Sequence, residues 1–241
     1  MLACRSLPSK TLKDFALALK LYMHPVSTVS RPVRLFIAEK KLPVTEQLVD
    51  LMTGEHHQPA YAAINPSKAV PALEDGDFRM TESSAILKYL ASKIDAPEYP
   101  KDLKERARVD SVMDWFNTGF YKDFGYGLLY PQIFPHHKRP TDDQQAGTIA
   151  WGKDKAKTWL GILDKDVLGK NDYLANNRIS IADYFGVCLL TAGEIVGCKF
   201  EGYPNVQRWV GNMKKLGSWA PINEIMYGFA GSMAGKAFET V

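Results

Sequence analysis

The chain has 241 residues, with 46% hydrophobic and 24% charged side chains, 18 Gly and 14 Pro, a composition that argues against long disorder, collagen-like repetition and an acidic tail. Thirty Lys plus Arg against 27 Asp plus Glu leave a formal charge of +3, and with the basic residues scattered along the chain nucleic acid is not expected as a partner. Three cysteines (Cys4, Cys188, Cys198) without CxxC spacing argue against a disulfide framework or zinc ribbon and for a reducing compartment. No apolar run approaches the ~18–20 residues that span a bilayer, so a soluble, cytoplasmic protein with no membrane partner is expected.

In chain order, residues 1–16 carry three basic residues and one acidic one with no long apolar run. They read as an N-terminal extension rather than a secretory signal, with organelle targeting left open. Residues 17–23 alternate, Leu17, Leu19, Leu21 and Met23 on one side and Lys20 and Tyr22 on the other, which predicts a strand. Ser27 to Pro32 is rich in helix-opening residues, and Val33, Phe36 and Ile37 follow at helical spacing. Residues 44–51 predict a second strand, parallel to the first because the crossover is helical.

Residues 52–65 are polar, with room for a short helix. Val70 to Leu73 and Phe78 to Met80 flank an Asp-Gly turn, a hairpin signal. Thr81, Glu82, Ser83 and Ser84 then open a helix whose expected buried face is Ala85, Ile86, Tyr89 and Leu90. Pro97 and Pro100 punctuate a polar linker over 95–101. Helical patterns follow over 102–129, 141–168, 181–196 and 204–216, and a less regular segment ends the chain. Ser180 and Asp183 form a capping-box pattern.

Three stretches, LYMHPVSTVSR (21–31), DGDFRMTESSAILKYL (75–90) and RARV (106–109), carried on a β-α-β plus β-β-α unit joined to an all-helical one, resemble the cytosolic glutathione transferases, most closely the theta class and related bacterial enzymes. The resemblance covers residues 20 to about 219. It implies an α/β plus all-α fold: a thioredoxin-like (β-α-β-α-β-β-α) domain over 17–94 that binds glutathione, and a helical-bundle domain over 102–241 that holds a hydrophobic electrophile. Glutathione is then the co-substrate, no metal is needed, and the chain is expected to pair as a homodimer, with a heterodimer as the alternative.

Each motif has a chemical reason. The thiolate is the nucleophile, and lowering a thiol pKa from ~8.5 by two units takes roughly 2.7 kcal/mol. A hydroxyl hydrogen bond to a charged sulfur supplies about 1.5–3 kcal/mol, and a helix N-terminus roughly 0.3–1. The resemblance places the catalytic serine at Ser27, with Ser30 as local rival and a plain helix cap as the simpler reading. Val70-Pro71 stands where the family has a cis peptide whose backbone pairs with the cysteinyl part of glutathione. Glu82 and Ser83 would meet the α-amino group and α-carboxylate of the γ-glutamyl end, as a helix N-terminus beside a carboxylate allows.

His56 and His57 match a family pair that contacts the glycyl carboxylate, with a histidine where Lys or Arg is usual. Ala69 replaces a residue that is often basic, with Lys68 one position earlier as a substitute. Neither His56-His57 nor His136-His137 has an acidic or Cys partner at ligand spacing, so a metal is not expected.

The aromatic residues Phe116, Phe120, Tyr121, Phe124, Tyr126, Tyr130 and Phe134 crowd one stretch. Phe116, Phe120 and Phe124 recur at helical spacing, which favours core, while Gly125 and Gly127 predict a kinked, loosely ordered wall. Tyr121, Phe124, Tyr126 and Trp219 are the expected hydrophobic substrate site, with the C-terminal segment as a lid. Where theta-class enzymes carry an arginine this chain has Tyr121-Lys122. The expected activity is thiolate attack on a hydrophobic, aromatic electrophile in detoxification. The alternatives are a dehalogenase, a beta-etherase of bacterial aromatic catabolism, and a non-catalytic binding or heterodimer subunit.

Overall fold

The computed structural model describes residues 19–175 and 177–241; the extension 1–16, Cys4 and the expected strand residue Leu17 lie outside them. The first half is a four-stranded sheet. β1 (Leu19–Met23), β2 (Thr45–Leu48), β3 (Ala72–Asp75) and β4 (Phe78–Thr81) stand in the order β2-β1-β3-β4. β1 and β2 run parallel, as a helical crossover through α1 (Ser30–Glu39) requires, and the other two pairs are antiparallel. The hairpin closes through Gly76 at φ 64, a left-handed position that suits glycine.

The alternation of β1 splits two cores. Leu19, Leu21 and Met23 join the main core with Val33, Phe36 and Ile37 of α1, while Tyr22 packs on the other face with Val49, Tyr61, Val70 and Ala72. The short α2 (Pro59–Ala62) supplies Tyr61 to that second face. α3 (Ser83–Lys93) buries Ser83, Ile86, Leu87, Leu90 and Ala91. The expected face is therefore rotated: Ala85 and Tyr89 are only half-buried, because α3 packs between the sheet and the helical half and must bury a wider stripe.

The polar stretch before the helical half is no loose tether. Glu98 is buried, pairs with Lys40, and accepts the Ile181 N–H on its carbonyl at 3.0 Å. Arg106 Nε donates to the Pro100 carbonyl at 2.7 Å. The helical half comprises α4 (Leu103–Trp115), α5 (Tyr130–Ile133), α6 (Asp142–Ile162), α7 (Ile181–Thr191), α8 (Pro204–Lys214) and α9 (Trp219–Ser232). The C-terminal segment expected to be irregular is thus helical as far as Ser232.

α4 runs on through widened, π-type turns over Phe116–Phe120 and Lys122–Leu129 into α5. Gly125 and Gly127 do not loosen this stretch, contrary to expectation. A Cβ on Gly125 would lie 2.6 Å from the Tyr121 ring, and one on Gly152 of α6 would lie 2.4 Å from the Gly127 backbone. The glycines are there for close approach of a ring and of a second helix backbone.

Two buried polar groups fix the helices. The Asp183 carboxylate accepts from the Ser180 N–H and Oγ–H (2.7 and 2.8 Å), the Leu174 N–H (2.9 Å) and the Trp209 indole (2.9 Å). Burial pushes its pKa up to about 6 against the pull of those four bonds. Arg31 of α1 is fully buried and donates to Asn223 Oδ1 at 2.7 Å, Thr191 Oγ1 at 3.3 Å and the Cys188 carbonyl at 2.6 Å. It ties the sheet half to α7 and α9. No helix among the described residues is long and apolar enough to cross a membrane.

Candidate functional site

Two adjoining cavities, of about 410 and 360 Å³, share Val29, Ala69, Val70, Tyr121 and Tyr126 in their walls. They form one cleft between the sheet half and the widened helix. The sheet-half wall comes from the turns at the strand ends, where backbone groups stay unpaired by the ladder.

Ser27 sits in the turn between β1 and α1. Its N–H donates to the His24 carbonyl at 3.0 Å, and its Oγ accepts the Ser30 N–H at 3.2 Å. The hydroxyl therefore both caps α1 and keeps its own proton to donate into the cavity it lines. Ser30, the local rival, is fully buried on α1 and outside the cleft lining. Tyr22 is also turned away; it donates to Glu74 Oε2 at 2.7 Å, and burial followed by that bond raises its pKa to about 12.

The Val70-Pro71 peptide is cis, and both residues line the cleft. The loop before them is pinned where Tyr61 Oη and Asn65 Nδ2 both donate to the Ala69 carbonyl, at 2.7 and 2.6 Å. Lys68, in that loop at φ 53, lines the Ser27 cavity.

Glu82 and Ser83 close the other end at the start of α3. Glu82 holds φ 65, a conformation a non-glycine residue keeps only when its surroundings impose it, commonly at ligand sites. A carboxylate beside the free N–H groups of a helix start offers one partner for an ammonium and several for a carboxylate.

His56 lines the Ser27 cavity, whereas His57 is exposed and outside the lining of either cavity, its ring tilted 42° against that of His56 with centroids 3.9 Å apart.

The helical wall brings two of the four expected substrate residues together. Tyr121 and Tyr126 line both cavities, and Tyr126 is 46% exposed, so its ring is reachable. Phe124 and Trp219 are not brought to the cleft. Phe124 is fully buried against Phe120 and Phe200, and Trp219, 4% exposed, gives its indole N–H to Tyr227 Oη at 3.3 Å. The widened turns rotate each residue away from the spacing a regular helix would give, so Phe124 faces Gly193 just beyond α7 while Tyr121 and Tyr126 face the cleft.

Several lining residues carried no signal of their own in the sequence. His24 ends β1, is buried, and accepts the Val26 N–H on Nδ1 at 3.3 Å; burial lowers its pKa below 6.5. Thr28, next to Ser27, accepts the Tyr130 hydroxyl at 2.9 Å, and the Tyr121 hydroxyl bonds to that of Tyr130. Burial raises Tyr130 to about 12 and Tyr121 well above 10. These phenols stay protonated at neutral pH and act as hydrogen-bond donors rather than bases. Phe134, His136 and His137 complete the rim. Tyr130 and the pair His136-His137 were visible beside the aromatic run, but nothing local showed that they would meet Ser27.

The C-terminal segment reaches this rim without covering it. Phe229 stacks on Phe134, ring centroids 6.4 Å apart and planes 5° apart, and the tail is held where the Glu239 N–H donates to Gln132 Oε1 at 2.8 Å. Among the described residues no group of three or more His, Cys, Asp or Glu is placed to hold a metal ion.

Family models described as "Glutathione S-transferase, N-terminal domain" and "Glutathione S-transferase, C-terminal domain" match residues 17–92 and 133–216. Human glutathione S-transferase theta-1 is 36% identical over 197 residues, 80% of this chain and 81% of that protein. The solved structure of human glutathione transferase theta-2, in complex with glutathione and an unknown ligand, superposes with a TM-score of 0.79 at 29% identity, covering 92% of this chain and 93% of that one. The apo form of human glutathione S-transferase T1-1 gives 0.77 at 32%, covering 88% and 91%.

Proposed function

The chain belongs to the glutathione S-transferase family, with theta-class relatives, and on that premise we propose that its cleft activates glutathione as a thiolate through Ser27 for attack on a hydrophobic, aromatic electrophile. The observation that carries this reading is the Ser27 hydroxyl, which accepts from the Ser30 N–H at 3.2 Å and so keeps its own proton for the sulfur. That bond supplies about 1.5–3 kcal/mol, and the N-terminus of α1 adds roughly 0.3–1. Together they lower a thiol pKa by about two units.

The tripeptide would lie along the sheet-half wall. Its γ-glutamyl end meets Glu82 and Ser83, its cysteinyl backbone pairs with Val70 ahead of Pro71, and its glycyl carboxylate reaches His56 and Lys68. His57 takes no part, and Ala69 contributes wall but no charge. On the same reading residues 17–94 form the glutathione-binding unit, 95–101 the joint and 102–241 the unit with the electrophile site. There the sulfur bonds to carbon as the leaving group departs with its electron pair, and the displaced thiol proton passes to solvent. The phenols of Tyr121 and Tyr130 and the ring of Tyr126 suit an aryl body, which keeps aryl ethers and benzylic halides as the substrates of choice.

Calorimetric titration with glutathione tests the core of this reading. Binding at millimolar ligand or tighter is expected, together with a thiolate absorption band that collapses in Ser27→Ala. No binding at millimolar ligand would overturn it in favour of a non-catalytic subunit. A dimer belongs to the same reading: Phe78 stands 48% exposed on the outer strand β4, and sedimentation should give twice the chain mass.

A further inference from the structure

Four of the chain's five histidines line the cavity around Ser27, and the ring of the fifth lies tilted against one of them. They arrive from three separate places: His24 from the end of β1, His56 from the turn after β2, His136 and His137 from the turn after α5. The rings of His136 and His137 have centroids 4.5 Å apart, and that of His137 lies 5.2 Å from Tyr130 and 5.5 Å from Tyr126. Lys68 joins them, and no Asp or Glu is among the described residues lining this cavity. The adjoining cavity differs, since it sets Glu82 near Lys122.

A set of groups that can all become positive, with no carboxylate among them, lacks a counter-ion. The surrounding charges are mixed but do not supply one inside. Asp50 acts on His24 from the loop after β2, opposed by Arg34 of α1, and Arg139 acts on His137. Burial first, and then mutual repulsion, holds His56 and His137 below the ordinary 6.5. His56 Nδ1 is moreover buried without a hydrogen-bond partner. An anion placed here would reverse that balance, because an opposite charge within a few ångströms favours the charged imidazole.

We propose that the electrophile is an aromatic acid: its ring lies against Tyr126 and Phe134, its carboxylate is held by His136 and His137, and its binding takes up a proton. This rests on the glutathione transferase reading and names the substrate class for it. The glycyl carboxylate of glutathione occupies the His56 side, so the acid is a second anion on the helical side of the same cavity. With 4-(chloromethyl)benzoate as the simplest substrate, the C–S bond forms at the benzylic carbon while the C–Cl bond breaks, chloride leaving with the electron pair and the thiol proton passing to solvent.

The test compares two product analogues that differ only in the acid, S-(4-carboxybenzyl)glutathione and S-(4-carbamoylbenzyl)glutathione, by calorimetry at about pH 8 and about pH 6. One linked proton makes the acid-to-amide affinity ratio rise about tenfold per pH unit, at most about a hundredfold between the two conditions, and the binding enthalpy of the acid varies with the ionisation enthalpy of the buffer. In the double variant His136→Gln, His137→Gln, whose sites are exposed or half-buried, the ratio no longer changes with pH. Equal affinity for acid and amide at both conditions overturns the proposal while leaving glutathione binding intact. A pH-dependent ratio that survives in the double variant removes the assignment to these two histidines. Failure of both conjugates to bind overturns the glutathione reading itself and the proposal with it.

Discussion

The two walls of the cleft are built by different means. On the sheet side Ser27, Val70, Pro71, Glu82 and Ser83 are each placed by their own turn: a helix start, a cis peptide, a left-handed residue ahead of α3. On the helical side Tyr121, Tyr126 and Tyr130 are placed by what packs behind them, chiefly the contact of Gly127 with Gly152 and the hydroxyl chain to Thr28. The contrast teaches that the wall proposed to hold glutathione is specified by local backbone, while the wall proposed to meet the electrophile depends on helix packing, where one added methyl group reshapes the site.

The largest expected effect breaks the helical wall alone. In Gly152→Ala the new Cβ would sit 2.4 Å from the Gly127 carbonyl carbon, and since backbone cannot give way cheaply the cost is about 3 kcal/mol. Denaturant unfolding should show that loss while calorimetric affinity for glutathione changes little; an equal loss of glutathione affinity would mean the two walls are not separable.

Ser27→Ala strikes the other wall. It removes about 1.5–3 kcal/mol of thiolate stabilisation, so the pKa of bound glutathione should climb by about one to two units, read from the ultraviolet thiolate band against pH, with stability lowered only by a cap worth about 1 kcal/mol. Tyr130→Phe cuts the seam between the walls. It leaves Tyr121 Oη and Thr28 Oγ1 without their shared partner, at about 1 kcal/mol, and should lower electrophile affinity more than glutathione affinity in paired titrations. The smallest effect sharpens the assignment of Phe124: Phe124→Leu should lower stability by roughly 1 kcal/mol as a core truncation and leave the KM for the electrophile unchanged, because the ring does not line the cleft.

Legibility followed the same division. The succession of strands and helices, the crossover helix and the hairpin were readable because alternation, an Asp-Gly turn and helix-opening residues act over a few positions. The face of α3 and the helical state of the C-terminal segment were misjudged because both depend on partners far along the chain. Phe124 was assigned to substrate and core at once, since a run of aromatics at regular spacing does not reveal widened turns. The histidine pairs could be seen in the text, but their meeting with His24 could not. That meeting spans more than one hundred positions and exists because the sheet half and the helical half close on each other, with Arg31 among the links.

The sequence by itself determined the elements of the sheet half and the capping box at Ser180, because hydrophobic period, turn residues and caps are short-range physics. Only the tertiary structure decided which aromatic residues face the cleft, that four histidines share one cavity, and that a buried, carboxylate-free arginine joins the halves. Those outcomes depend on close packing, of a ring on Gly125 and of two helix backbones at Gly127 and Gly152, where the allowed distance rather than the residue's own preference sets the result.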